Sequence, residues 1–172
     1  MRVVVITPPD PIVSWEEAKA HLRLDTDDEQ AYVVALIAAA QQWIDGPGGW
    51  LGRCVGVQTL ELRAQTNSFN CIQLPYPPVV EVEEATIDGE PLVVAERVDG
   101  LFSIVSSSAA MFGPLIVRYR AGYETIPAPI KQAILLLVGQ WYSFRSNVAE
   151  DGAPAEIPMA VEALLSTYRV WL

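Results

Sequence analysis

Apolar positions along this chain change period twice. From Trp15 to Ile44 they recur three or four residues apart, from about Cys54 to Tyr123 they alternate, and from Ile130 onward the helical spacing returns. The first helix opens at Ser14-Trp15-Glu16-Glu17, a capping box in which the Ser14 hydroxyl accepts from the Glu17 amide while the Glu17 side chain reaches back. Trp15, Ala18 and Leu22 form its stripe, and it ends near Leu24. Asp25-Thr26-Asp27-Asp28-Glu29 predicts an N-cap and first-turn carboxylates for a second helix, whose apolar face is Val33, Leu36, Ile37, Ala40, Trp43 and Ile44. Asp45-Gly46-Pro47-Gly48-Gly49 stops it, because three glycines and a proline cannot sustain helix.

The alternating stretch predicts strands at 55–63, 71–74, 80–88, 90–94, 101–105 and 115–120. Asp88-Gly89 and Asp99-Gly100 are expected hairpin turns, and Pro75-Tyr76-Pro77-Pro78 an extended link. Pro127-Ala128-Pro129 opens a third helix with Ile130, Ala133, Ile134, Leu137, Val138 and Trp141 on its stripe, running to about Arg145. Asn147 to Pro158 is an expected mobile loop, and a last helix follows with Val161, Leu164, Leu165 and Tyr168 on one face. The order predicts an α+β chain, mainly a helical bundle of about four helices with an inserted antiparallel β subdomain. It is expected to form a single domain over 1–172, divided into 12–46, 54–123 and 128–172.

Composition sharpens this picture. Hydrophobic residues make up 51% of the chain and charged residues 19%, which excludes disorder and leaves more apolar surface than a small monomer usually hides. That surplus predicts subunit contacts. No apolar run is long enough to span a bilayer, and the start, Met1-Arg2-Val3-Val4-Val5-Ile6, is too short for a secretory signal, so a soluble protein made in the cytoplasm is expected. Against 21 acids stand 11 bases, a net charge of −10, so the summed field repels phosphate and disfavours tight, sequence-independent DNA binding.

Candidate chemistry is sparse. His21 has no second His or Cys near it in sequence, so packing or surface exposure is the better reading. Asp25 to Glu29 fails as a calcium loop, since Gln30 stands where glycine is needed and Leu36 where a bidentate glutamate is needed. Gly46 to Arg53 lacks the ending of a phosphate loop and leads into a strand. Cys54 and Cys71 read as small hydrophobes. No catalytic, cofactor or metal residue is expected. Trp171 is the exception to these bland readings: Tyr168-Arg169-Val170-Trp171-Leu172 either folds back or docks on a partner, because an aromatic tail is costly to leave in water.

Ser14-Trp15-Glu16-Glu17-Ala18-Lys19-Ala20-His21-Leu22-Arg23-Leu24-Asp25 resembles the N-terminal signature of phage head-tail connector proteins. Gln58-Thr59-Leu60-Glu61-Leu62, Ile72-Gln73-Leu74-Pro75-Tyr76-Pro77-Pro78-Val79, Val117 to Tyr123 and Ile126 to Leu137 continue the likeness in collinear order. The family occurs in tailed phages, prophages and gene transfer agents. The resemblance implies a structural, non-enzymatic virion protein. It implies a ring, commonly of twelve subunits, between the portal and downstream neck or tail proteins, through which DNA passes without specific binding. No membrane role is implied. A subunit monomeric in isolation is compatible with it, and the tail 168–172 becomes the predicted portal or partner contact. Gly46, Pro47, Gly48, Gly49 and Trp50 form a possible contact loop, richer in glycine than the short turn of many relatives. The competing class is a small DNA-packaging or regulatory binding module, which predicts a basic face.

Overall fold

In the computed structural model, residues 1–99, 102–144 and 159–171 are described. They form two compact units. One comprises Met1–Asp10, Asp45–Glu124 and Val170–Leu172, the other Pro11–Ile44 and Thr125–Arg169.

The second unit is helical. Its α1 (Trp15–Leu22) carries the expected capping box: the Glu17 amide donates to Ser14 Oγ at 3.2 Å and the Ser14 amide to Glu17 Oε2 at 2.9 Å. Of its apolar stripe only Ala18 is fully buried. The helix ends at Arg23 in the left-handed region, with φ 57°. Helix α2 (Gln30–Ile44) buries Val33, Ile37, Ala40 and Ile44, as its spacing predicts. The acidic stretch before it plays a different part from the one expected. All five residues precede the helix and its first turn holds no acid. Asp27 is instead tied to Lys19 at 2.6 Å, and Asp28 accepts from the Thr26 hydroxyl at 2.9 Å.

Helix α3 (Ala128–Ser143) buries Ile130, Ala133, Ile134, Leu137 and Val138. Lys131 reaches Glu17 at 2.7 Å and Tyr142 donates to Glu29, so α3 is tied to the first turn of α1 and to the start of α2. Helix α4 (Met159–Leu165) buries Val161 and Leu165. Arg145 and the segment 147–158 lie outside the described residues.

The first unit is a six-stranded antiparallel sheet, ordered β1-β2-β6-β3-β4 with β5 also paired to β6. Its strands are β1 (Arg2–Thr7), β2 (Gln58–Gln73), β3 (Val79–Ile87), β4 (Glu90–Pro91), β5 (Ala95–Asp99) and β6 (Phe102–Ala121). Asp88 (φ 52°) and Gly89 (φ 84°) both adopt positive φ in the two-residue β3–β4 hairpin, as a type I′ turn requires. Gly100 of the other expected turn is outside the described residues.

The expectation of a mainly helical bundle is overturned: helix and strand are present in comparable measure, and β6, at 20 residues, exceeds the longest helix, at 16. Two physical causes explain the error. The run Val3-Val4-Val5-Ile6 lacks the alternation of a half-buried strand, although its β-branched residues favour one, and it pairs with β2 from Arg2↔Arg63 onward. Pairing also carries β2 and β6 through the polar stretches that punctuate their sequences, Ser106 included, which joins pairs of short expected strands into long ones.

One face of this sheet is apolar, with Leu60, Leu62, Val117, Tyr119 and Ala85 in a cluster that also holds Leu74 and Val105. The other face is a charge ladder. Registers Glu61↔Arg118↔Glu84 and Thr59↔Arg120↔Glu81 place acids beside bases across three strands.

Candidate functional site

Asp45 ends α2 and organises the glycine-rich loop after it. Its buried carboxylate accepts from the Val55 amide at 2.7 Å, the Gly56 amide at 3.2 Å and Gln58 Nε2 at 3.0 Å. Burial pushes its pKa up, and those donors oppose the shift. The loop is closed by amide-to-carbonyl bonds from Gly46 to Arg53 (2.9 Å) and from Gly49 to Gly46 (3.0 Å). Gly49 is obligatory in this path, because a Cβ there would lie 2.4 Å from the Asp45 carbonyl oxygen.

The loop's far end is buried. Leu51 is fully buried, and Arg53 lies under the sheet's end with its guanidinium 5.7 Å from the Tyr123 ring centroid while donating to the Tyr123 hydroxyl. Gly48 is exposed, and Pro47, Gly49 and Trp50 are half-buried.

The structure joins this loop to the predicted tail. After the 3-10 turn Ser166–Tyr168 the chain extends at Arg169, and the Val170 amide donates to the Leu51 carbonyl at 2.8 Å. Tyr168, Arg169 and Val170 are half-buried; Leu172 lies outside the described residues. Trp171 is 78% exposed and forms one wall of an open groove of about 460 Å³. Met1, Val3, Ile72, Gln73, Pro75 and Tyr76 form the rest of its lining. Sequence reasoning missed this groove because it needs β1 and the Pro75-Tyr76 link to meet, a long-range pairing that no local pattern reports.

Across the charged face, Glu61 is the centre. Its side chain is only 6% exposed and contacts Arg63 at 2.6 Å and Arg118 at 3.0 Å. Hydrogen bonds from Arg63 and then Arg118 hold its carboxyl below the usual range. Arg120 pairs with Glu81 and Arg118 also approaches Glu84 at 3.7 Å.

His21 is exposed on α1, and a Cβ at Gly139 of α3 would stand 3.3 Å from its Nε2, so the imidazole packs where the two helices approach. Cys54 is buried and Cys71 exposed, both as free thiols. Among the described residues no group of three His, Cys, Asp or Glu side chains could hold a metal ion, and no helix is long and apolar enough to cross a membrane.

The described residues thus present an apolar groove beside Trp171, a tail tied through Val170 to the glycine-rich loop, and an ion-paired sheet face. Residues 11–170 match the head completion protein family, and the chain belongs to it. No curated protein matches the chain. Among solved structures, it is similar to a chain from the neck of an empty gene transfer agent particle computed with C6 symmetry, at TM-score 0.79 and 22% identity. A chain from the virion of a native gene transfer agent particle gives 0.71 and 20%, and one from the neck of a native particle computed with C12 symmetry gives 0.66 and 21%. In each case 100% of this chain and 97% of the other are covered.

Proposed function

We propose that this chain is a head-tail connector subunit of a phage or phage-like particle, forming a ring between the portal and the downstream neck or tail proteins. The observation that carries the reading is the end-to-end likeness to a neck chain at TM-score 0.79, joined to family membership over residues 11–170. The C6 and C12 symmetries of the two neck structures favour a ring. Its work is structural and needs no catalytic group. A ring subunit presents two different surfaces to its neighbours. We assign the tail residues 168–171 to a partner in the particle, and the Val170 amide ties their end to Leu51 beside the loop 46–50. With a net charge of −10, acids facing the passage would let DNA through without holding it.

Light scattering of the purified chain, alone and mixed with the portal from the same gene cluster, tests this. A ring-sized species, or recruitment to the portal that is lost on truncation before Tyr168, is expected. A chain that stays monomeric and ignores the portal overturns the reading.

A further inference from the structure

The two edges of the sheet differ in shape and charge. At one edge β1 has Arg2 as its only charge, with Val5 39% and Ile6 45% exposed, and beside it opens the groove between Val3, Tyr76 and Trp171. The exposed side chain of Arg63 lies next to Arg2 in register. At the opposite end of the strand order the β3–β4 hairpin and its continuation carry exposed Glu83, Asp88, Glu90 and Glu96. Two register breaks in β3 blunt that edge against a further strand.

From this acidic edge one apolar side chain projects. Leu92 and Val94 pack into the sheet's own cluster, and Val93 between them is 90% exposed. An apolar knob among acids on one edge and, on the other, an apolar groove with Arg2 on the sheet face behind it are complementary features of a single chain. Two copies can therefore meet head to tail, and such a contact repeats around a closed ring.

We infer that these edges meet between copies: Val93 of one subunit seats in the groove between Val3, Tyr76 and Trp171 of the next, with the hairpin acids facing Arg2. The inference rests on the ring reading above and names the neighbour that meets Trp171 as a second copy. The acid-free β1 edge and its exposed apolar residues are then covered by that neighbour, which accounts for part of the apolar surplus.

The test uses the full chain with its portal. Gln73→Cys and Val93→Cys are introduced together in a Cys71→Ser background, and the assembled ring is oxidised. Disulfide-linked multimers on a non-reducing gel are expected. Val93→Asp, at a site that the fold leaves in water, is expected to retain its circular dichroism spectrum and to raise the concentration needed for assembly roughly tenfold. A ring that forms without the cross-link, or that Val93→Asp leaves unchanged, overturns this interface and leaves the ring reading standing. A parent chain that forms no ring with its portal overturns both.

Discussion

The Tyr119 hydroxyl donates to the Pro75 carbonyl at 2.8 Å, while the adjacent Leu74 amide donates to Ser103 at 2.9 Å. Ser103 and Tyr119 belong to the same strand, β6, and a straight strand would hold them about 50 Å apart. Two neighbouring residues can reach both only because β2 and β6 bend. Their register breaks at Asn67/Phe69 and Phe69/Cys71 are the places where the ladder yields. Burial pushes the Tyr119 pKa up, so the hydroxyl remains a donor across the physiological range. Tyr119→Phe strands a buried carbonyl and is expected to cost about 1–2 kcal/mol in urea unfolding. An unchanged midpoint would show that water replaces the bond.

Asp45 is the next test. Asp45→Ala removes the acceptor of two backbone amides and of Gln58 at once. Relief of the buried charge offsets part of that loss, leaving an expected destabilisation of roughly 3 kcal/mol. The Leu51 carbonyl that holds Val170 sits on the same loop, so hydrogen exchange at the Val170 amide should quicken more than at β2 amides.

Glu61 sets a pH dependence with a definite sign. Its folded pKa is depressed below the ordinary 4.5, so its contribution is present above that value and lost as pH falls through the folded pKa. Glu61→Gln is therefore expected to be less stable than the parent at pH 7, with the two stability curves converging as the pH falls through the folded pKa of Glu61. Because Arg63 and Arg118 are 58% and 40% exposed, salt should shrink the difference at pH 7. A gap that persists in acid would assign the effect to packing.

The cysteines separate by reactivity. Burial pushes the Cys54 thiol pKa up, and the nearby Asp45 charge adds to it, whereas Cys71 is exposed. One thiol per chain should react with a maleimide in buffer and two in denaturant, and Cys71→Ser should abolish the native reaction. Rapid labelling of Cys54 in buffer would mean that the sheet opens locally.

Much of the helical unit was legible because its signals are local. The Ser14–Glu17 box, the stripes of α2 and α3 and the stop at Gly46 each depend on residues within a few turns of one another. The Asp88-Gly89 hairpin was legible for the same reason, since its backbone demands residues that tolerate positive φ. The chain's own residues also carried the resemblance that led to its family.

Tertiary structure decided the rest. Only pairing with Arg63 and its neighbours makes a strand of Arg2–Thr7, and only the two-sided ladder holds Ser106 in β6. The groove beside Trp171 and the bond from Val170 to Leu51 join segments more than a hundred residues apart. Periodicity reports which face of an element is buried; which elements share an edge depends on long-range pairing that no local window contains.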